Sequence, residues 1–401
     1  MTDAIQERVL RFLGSFTDTE PVLESFESLA LDVFAFQYEA NAAYRAWCDA
    51  LAPSGSVERL DDIPAVPVAA FKELDLVCGT PAAEFRTSGT TGTTGTGRGR
   101  HLIPSLEPYR FGSVAHFGRC LVPEGWKLRT LVLAPTPEMR PHSSLSRMLG
   151  WVVEVYGEPG SGWFVGAAGL ERDRLAEALL DAQRHGAPVL VAAPSAALIA
   201  FLDYCDATGL RVALPGGSRL MDTGGQKGAR LAAPLPPEVF QEALYRRVAS
   251  ILGIPPERCV NEYGMTELCS QAYDRVPPAR SFDVRGNSRG FAEERNPAGR
   301  PDPKGRSCDL GGPAIPRVKL VPPWVAVSVV DPATLAVLPP GETGLLKFVD
   351  LANVGSVIAV LTEDFGRIVD GGFIFEGRPR TAEARGCGLT FDELQARMAA
   401  P

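Results

Sequence analysis

Residues 86–101 read RTSGTTGTTGTGRGRH: five glycines and seven threonine or serine residues, closed by two arginines and a histidine. Glycine lets the backbone turn sharply, so that successive N–H groups can converge on one anion, and the hydroxyls add further donors. Arg98, Arg100 and His101 are placed to neutralise phosphate oxygens. A flexible linker has a similar composition. The position of this stretch between a helical region and an α/β region favours an anion-binding loop.

A second motif, NEYGMTE, occupies residues 261–267 and follows a strand-like run. It offers an aromatic ring at Tyr263, a glycine that allows close approach at Gly264, a hydroxyl at Thr266 and a carboxylate at Glu267. A stacking ring, a phosphate donor and a metal ligand in one turn are typical of a nucleotide site. The glycine-rich loop itself lacks the lysine of a GxxxxGKS/T motif and is not a GxGxxG fingerprint.

Composition and charge restrict the class of protein. The 401 residues are 45% hydrophobic and 22% charged, which suits a large core and two or three domains by length. A formal net charge of −8 argues against a nucleic-acid partner. The N-terminus has no signal-peptide pattern, and the longest apolar run, 189–202, is too short for a membrane span. Eight cysteines without paired spacing predict reduced thiols and a cytoplasmic protein.

The chain predicts helices first and alternating strands and helices afterwards. Apolar residues at helical spacing predict helices within residues 4–51. Runs rich in β-branched residues predict strands at 130–135, 152–157, 189–194 and 259–264, and apolar periodicity predicts helices at 170–183 and 237–252. This alternation predicts an α/β fold with a parallel sheet covered by helices.

After Trp324 the sequence becomes rich in short strands separated by turn residues, which predicts a smaller, mostly antiparallel subdomain. The predicted strands are VAVSVV, GLLKFV, VIAVL and GGFIFEG, at residues 325–330, 344–349, 357–361 and 371–377. Residues 276–316 are poor in large apolar side chains, and two interpretations stay open for them, a functional segment or an ordinary surface excursion.

Four motifs in this order resemble the adenylate-forming superfamily, which includes acyl-CoA synthetases and nonribosomal peptide adenylation domains. The third is DTGGQKG at 222–228, similar to the turn that lines the adenine pocket. The fourth joins LTEDFGRI and GFIFEGRPRTAEARG, similar to the ribose motif and the hinge. The resemblance implies a large N-terminal α/β domain of helix-covered parallel sheets plus a smaller β subdomain, with the mobile C-terminal domain truncated to a short tail. We expect a helical region at 1–80, an adenylate-forming core at 81–320, a β-rich subdomain at 321–376 and a hinge and tail at 377–401.

The resemblance implies ATP and Mg²⁺ as cofactors, with the phosphates held by the glycine-rich loop. The residues implied for the β- and γ-phosphates are Thr87, Ser88, Gly89, Thr90, Thr91, Gly92, Thr93 and Gly95. Thr266 would contact the α-phosphate, and Glu267 would bind Mg²⁺. The family's lysine after the loop is absent, with Thr94 near its place. Arg98, Arg100 and Lys227 could supply the charge instead, Lys227 as a catalytic residue.

The nucleoside would be held by residues from three motifs. Those implied around adenine are Gly224, Gly225 and Gln226, with the Tyr263 ring stacked on the base. Glu262 and Gly264 are also implied to bind ATP. Asp364 would hold the ribose hydroxyls, and Arg378 would lie near ribose or phosphate. The hinge departs from the family, since Pro379 and Arg380 follow in place of an acidic residue.

The end of the chain carries a second resemblance. The sequence stops at Pro401, whereas full-length members of the superfamily continue into a domain with a late lysine, so the usual hinge rotation is not expected. The tail TAEARGCGLTFDELQARMAAP, with segments 321–335 and 141–149, is similar to the LuxE type of acyl-protein synthetase. That resemblance implies activation of a fatty acid as acyl-AMP, its transfer to Cys387 and its delivery to a partner reductase or carrier protein. Arg385 would stabilise the Cys387 thiolate as the nucleophile.

Several other side chains have both a structural and a functional interpretation. His142 and Ser143, in PHSSLSRML, are candidate substrate contacts, although a lone histidine is more often structural. Trp324 is interpreted as core. The other cysteines are also interpreted as core, because a zinc cluster of Cys259, Cys269 and Cys308 would lack CxxC spacing.

Two alternative functions remain open at this point. The first is an acyl- or aryl-CoA ligase, or a carrier-protein ligase, of the phenylacetate–CoA ligase type, in which Cys387 is incidental. The second is a non-catalytic nucleotide-binding partner subunit, which the absent lysines favour. Carboxylate-dependent pyrophosphate exchange separates the enzymes from the silent subunit, and CoA-dependent thioester formation without Cys387 separates the two enzymes.

Overall fold

The computed structural model describes residues 2–17, 24–51, 57–87, 97–226, 235–275 and 316–378. The α-helices are α1 (Thr2–Gly14), α2 (Phe26–Ala40), α3 (Ala42–Leu51), α4 (Glu107–Leu121), α5 (Ser144–Tyr156), α6 (Arg172–His185), α7 (Ser195–Thr208) and α8 (Pro237–Leu252). Short 3-10 helices lie at Leu60–Asp62, Val68–Lys72, Pro256–Arg258 and Leu351–Asn353. None of the helices in these ranges combines the length and the apolar character that a membrane span requires.

The strands are β1 (Val66–Pro67), β2 (Ala83–Arg86), β3 (Arg100–Ile103), β4 (Arg129–Val132), β5 (Gly162–Trp163), β6 (Val165–Gly166), β7 (Gly169–Leu170), β8 (Val189–Pro194), β9 (Arg219–Thr223), β10 (Cys259–Tyr263), β11 (Ala272–Asp274), β12 (Val318–Leu320), β13 (Val325–Val330), β14 (Gly344–Asp350), β15 (Ala359–Val369) and β16 (Gly372–Gly377). Most of them form one sheet in the order β13-β14-β15-β16-β12-β11-β10-β9-β8-β4-β5, with β1 paired to β15.

This sheet changes character along its width. Strands β5, β4, β8, β9 and β10 are parallel neighbours, and helices connect them along the chain. Strands β10 to β16 pair antiparallel. The predicted α/β class, with antiparallel strands after Trp324, is therefore confirmed.

Helix α8 begins and ends where local sequence signals stand. Pro237 occupies the first helical position, where a missing N–H costs little, and Gly253 follows the helix in the left-handed region with φ 72°. Leu244, Val248 and Ile251 recur at helical spacing and are buried. The predicted helix at 237–252 is confirmed at both ends.

Residues 152–157 were expected to form a strand, and that prediction is wrong, because residues 152–156 form the last turns of α5. Ser143 caps the N-terminus of α5 by accepting a hydrogen bond from the Ser146 N–H at 3.1 Å. Met148 and Val152 then fall on one buried helical face. Strand propensity of β-branched residues is weak, and packing of this face against the core overrides it.

A large core joins the N-terminal helices to the C-terminal strands. Val9, Trp47 and Phe348 belong to one buried cluster. The buried Gln37 side chain on α2 donates to the Asn353 carbonyl at 3.0 Å and accepts from the Ile358 N–H at 2.7 Å. Core and sheet both run across the expected boundaries near 80 and 320, so the division into domains stays a prediction.

The glycine-rich stretch connects the two strands of a hairpin. Strands β2 and β3 pair antiparallel, with Arg86 opposite Arg100. Beyond them the Thr87 N–H donates to the Gly99 carbonyl at 3.0 Å, and the Gly99 N–H donates to Oγ1 of Thr87 at 3.0 Å. Residues 88–96 lie outside the described residues, and both of their anchors are held together by this hairpin.

Candidate active site

The hairpin is bonded directly to the turn of the NEYGMTE motif. His101, on β3, is 1% exposed, and its Nδ1 lies 2.7 Å from the Thr266 carbonyl oxygen. Its Nε2 lies 2.9 Å from Oδ1 of Asn353, whose Nδ2 donates to the Glu267 carbonyl at 3.0 Å. Residues far apart in the sequence thus meet where β3 begins and the turn after β10 follows.

Tyr263, Asp364 and Arg378 form one hydrogen-bonded group. Tyr263 ends β10, Asp364 lies within β15, and Arg378 follows β16. The Tyr263 hydroxyl donates to Oδ2 of Asp364 at 2.9 Å, and Nε of Arg378 donates to Oδ1 at 2.8 Å. A carboxylate accepts about four hydrogen bonds, so Asp364 keeps capacity for roughly two more, as two ribose hydroxyls require.

The ring of Tyr263 lies in an aromatic cluster that the sequence analysis missed. Phe348 stacks on it with ring centroids 5.7 Å apart and planes at 24°. Phe373 meets it edge-on at 5.3 Å, and Phe375 is tilted at 5.5 Å. Tyr263 is 9% exposed. The ring is therefore packed among three phenylalanine rings, and stacking of adenine on it stays a prediction.

Glu267 is buried beside that group. It is 7% exposed, and burial raises the pKa of its carboxyl to about 7, against the opposing effect of the Arg378 guanidinium. In the described part of the chain no three His, Cys, Asp or Glu residues could hold a metal together. Magnesium in ATP sites commonly takes one or two carboxylates and completes its shell with phosphates and water. A lone carboxylate at Glu267 fits that mode of binding.

Gly264 has a steric role in the same turn. A Cβ at this position would collide with the carboxylate of Glu262. Glu262 is buried, accepts a hydrogen bond from the Thr223 hydroxyl, and has its pKa raised to about 7 by burial. Any larger residue at this position would force the Glu262 carboxylate to move from its buried position.

The turn after β9 rests on a buried polar network. Asp222 accepts hydrogen bonds from Ser195 at 2.8 Å and from Tyr245 at 2.5 Å, and its pKa is raised by burial. Above it Gly224 adopts a φ of +85°, which favours glycine. The Gln226 amide bonds both backbone groups of Leu235. These bonds join the two residues that flank residues 227–234. That segment includes Lys227 and lies outside the described residues.

The other predicted site residues serve structural contacts. His142 Nδ1 bonds the Glu84 carbonyl at 2.9 Å, and Ser143 is the cap of α5. Arg100 forms an ion pair with Asp75 at 2.6 Å. His101 was expected to neutralise phosphate, and this is wrong, because burial lowers its pKa to about 4 and leaves the ring neutral at pH 7.

Five of the six described cysteines are buried in the core, as predicted, and the sixth, Cys120, is half-buried and packs against it. Burial raises the thiol pKa of each of them, namely Cys48, Cys78, Cys120, Cys205, Cys259 and Cys269. Such thiols are poor nucleophiles. Trp324 is fully buried and donates to Ser270 at 3.1 Å, which confirms it as core. Cys308 and Cys387 lie outside the described residues.

Two supporting residues were missed because no motif contains them. Asp350 accepts hydrogen bonds from the Cys269 N–H at 3.0 Å and the Ser270 hydroxyl at 2.8 Å, and Asn353 holds Glu267. Both stand in DLANVGS, directly after the apolar run of β14. Polar residues at a strand end were the signal that could have found them.

Comparison with known proteins gives a family match in the C-terminal part. Residues 314–395 match the family described as "Acyl-protein synthetase, LuxE". No curated protein sequence matches the chain.

Solved structures are similar over most of the chain. The 2-hydroxyisobutyryl-CoA ligase with 2-HIB-AMP is 14% identical with a TM-score of 0.58, covering 88% of this chain and 67% of the ligase. Its complex with 2-HIB-AMP and CoA has a TM-score of 0.54 at 14% identity, with 93% and 67% covered. ATP-bound MatB from Rhodopseudomonas palustris is 16% identical with a TM-score of 0.43, with 75% of this chain and 49% of MatB covered.

The chain therefore spans about half the length of MatB and two thirds of that of the 2-hydroxyisobutyryl-CoA ligase. At 14% identity, the TM-scores of 0.58 and 0.54 show similarity of fold alone. The resemblance inferred from the motifs is confirmed: the chain has the fold of the adenylate-forming superfamily and is similar to the LuxE type of acyl-protein synthetase.

Proposed function

We propose that the protein activates a carboxylic acid, preferably a fatty acid, as acyl-AMP and transfers the acyl group to a thiol. The proposed first acceptor is Cys387, and the final acceptor is a reductase or carrier protein. The observation that carries this proposal is the convergence of the loop hairpin, the Thr266–Glu267 turn and the Tyr263–Asp364–Arg378 group.

In the first step the substrate carboxylate attacks the α-phosphorus of ATP, and the bond to pyrophosphate breaks. Tyr263 and Asp364 hold the nucleoside, so that the α-phosphate has a fixed position relative to Thr266. Thr266 and the glycine-rich loop donate hydrogen bonds to phosphate oxygens as charge builds on them. Mg²⁺, held at Glu267, would neutralise charge on the phosphates when bound.

In the second step the Cys387 thiolate attacks the carbonyl carbon of the acyl-AMP. A C–S bond forms, the C–O bond to phosphate breaks, and AMP leaves with the electron pair. A partner thiol or reductase then takes the acyl group. Splitting the transfer in this way replaces one difficult step with two easier ones.

Pyrophosphate exchange tests the first step. Wild-type protein should exchange labelled pyrophosphate into ATP with a member of a panel of fatty, aryl and amino acids. Thr266→Ala and Glu267→Gln should suppress this exchange by at least tenfold. Wild-type rates in both variants would contradict the site assignment.

Intact-protein mass spectrometry tests the second step. With ATP and the active acid, wild-type protein and the matched control Cys120→Ala should gain the acyl mass, and hydroxylamine should remove it. Cys387→Ala should stay unmodified while it still exchanges pyrophosphate. An adduct on Cys387→Ala would exclude the proposed acceptor, and CoA-dependent thioester formation by that variant would favour a CoA ligase.

A further inference from the structure

His101 is a buried side chain to which no phosphate or substrate contact is assigned. It lies on β3, at the C-terminal end of the glycine-rich stretch, and it is 1% exposed. Its ring meets Phe71 edge-on, with centroids 5.7 Å apart. Both ring nitrogens are engaged, Nδ1 with the Thr266 carbonyl at 2.7 Å and Nε2 with Oδ1 of Asn353 at 2.9 Å.

The orientation of Asn353 follows from its other partners. Its Nδ2 donates to the carbonyls of Glu267 at 3.0 Å and Val357 at 2.9 Å, so both amide protons are used. Its Oδ1 must then face His101 as an acceptor. Because the Thr266 carbonyl is also an acceptor, His101 serves as the donor that ties the hairpin to the turn.

We propose that His101 is a positioning residue, which fixes the turn of Thr266 and Glu267 to the hairpin of β2 and β3. The proposal rests on the proposed function. The hydrogen bond from Nδ1 fixes the Thr266 peptide directly, and the Nε2 edge of the ring lies against Asn353, which holds the Glu267 peptide. Thr266 and Glu267 carry the proposed α-phosphate and metal contacts, so a displaced turn misaligns both groups at the α-phosphorus. The nucleoside contacts at Tyr263 and Asp364 do not involve this ring.

A neutral ring carries one proton and both partners are acceptors, so only one of the two contacts is a hydrogen bond. The shorter contact, at 2.7 Å, goes to Thr266, and we assign the proton to Nδ1. An asparagine side chain can offer an N–H close to the place of Nδ1, and a glutamine close to the place of Nε2. His101→Asn should therefore preserve function better than His101→Gln, while His101→Phe keeps an aromatic ring and loses the hydrogen bond to Thr266.

The test is steady-state pyrophosphate exchange in His101→Asn, His101→Gln and His101→Phe, with thermal unfolding measured in parallel. His101→Phe should lower kcat by about 100-fold, as expected for displaced catalytic groups, with KM for ATP changed by less than about threefold. His101→Asn should retain at least one tenth of wild-type kcat. His101→Gln should fall close to His101→Phe.

His116→Phe is the matched control. His116 is 4% exposed, bonds the Leu320 carbonyl at 3.2 Å, and has its pKa lowered to about 4 by burial, as His101 does. Its loss should lower the unfolding temperature by a similar amount and leave kcat within about threefold. If His101→Phe does not fold, the difference between His101→Asn and His101→Gln remains as the test.

Equal kcat in His101→Asn and His101→Gln, or an equal loss in His116→Phe, would overturn the proposal. The proposed function fails separately, if wild-type protein shows no pyrophosphate exchange with any acid of the panel. In that case the same variants are compared by the rise in unfolding temperature on adding Mg·ATP. A smaller rise in His101→Gln than in His101→Asn and His116→Phe supports the positioning role, and equal rises refute it.

Discussion

Replacing Glu267 by glutamine should stabilise the nucleotide-free protein at high pH while abolishing exchange. Glu267 is 7% exposed, and burial raises its carboxyl pKa from 4.5 to about 7. The folded protein therefore holds this proton more tightly than the unfolded chain. The resulting contribution to stability is fully present below pH 4.5 and is lost as the pH rises through 7. Glutamine has nearly the same shape and no charge to bury.

The magnitude follows from the two pKa values. Each tenfold change in proton affinity corresponds to about 1.4 kcal/mol, so a pKa change from 4.5 to about 7 amounts to roughly 3 kcal/mol at full ionisation. Around pH 5 most of this cost is absent, because the folded protein keeps the proton. Between pH 5 and pH 8 the free energy of unfolding of Glu267→Gln should rise relative to wild type by roughly 2–3 kcal/mol.

Urea unfolding of both proteins at pH 5, 6, 7 and 8, first without nucleotide, measures this difference. Mg·ATP should then reduce the difference at pH 8, because metal binding compensates the buried charge in the wild type only. Glu262→Gln is the control, since burial also raises the pKa of Glu262 to about 7 and no metal role is assigned to it. It should show the pH trend without the selective effect of Mg·ATP.

Two results would refute this reasoning. A stability difference between wild type and Glu267→Gln that stays constant from pH 5 to pH 8 would show that the carboxyl is not held protonated by burial. An equal response of Glu267→Gln and wild type to Mg·ATP would remove Glu267 as the metal ligand.

Three further substitutions test the geometry. Tyr263→Phe removes the hydroxyl that donates to Asp364. KM for ATP in pyrophosphate exchange should therefore rise about fivefold, the equivalent of about 1 kcal/mol. An unchanged KM would contradict the nucleoside assignment. Gly264→Ala places a methyl group against the Glu262 carboxylate, so urea unfolding should show a loss of about 1–3 kcal/mol together with reduced exchange, and full stability would refute the close approach. Trp324→Phe loses buried volume and an indole hydrogen bond. The free energy of unfolding should therefore fall by about 1–3 kcal/mol, with KM for ATP unchanged. A raised KM would place the tryptophan in the site.

Periodicity in the sequence was a good guide wherever local signals and packing agreed. Helix α8 has a proline at its start, a glycine after its end and one apolar face, and its predicted bounds were correct. Strand β13 was predicted at 325–330 and found there. Residues 152–157 failed because a valine-rich run looks the same in a buried helix and in a strand. The helical cap at Ser143 was the distinguishing signal.

Part of the candidate site could be predicted from the sequence, because the side chains in its motifs have recognisable chemical roles. Tyr263, Asp364 and Arg378 were named from three separate motifs, and the structure joins them by two hydrogen bonds. His101 was named for the wrong reason. A charged role follows naturally from a histidine near arginines, and only burial at 1% exposure makes the ring neutral.

By itself the sequence determined the class of fold, the order of the motifs and the residues on which the proposed chemistry rests, because periodicity and side-chain type are properties of short segments. Tertiary structure alone decided which segments meet. The bonds from His101 to Thr266 and from Asn353 to Glu267 link residues 165 and 86 positions apart. Such contacts depend on the pairing of strands across the whole sheet, and their burial then sets the protonation of His101 and Glu267.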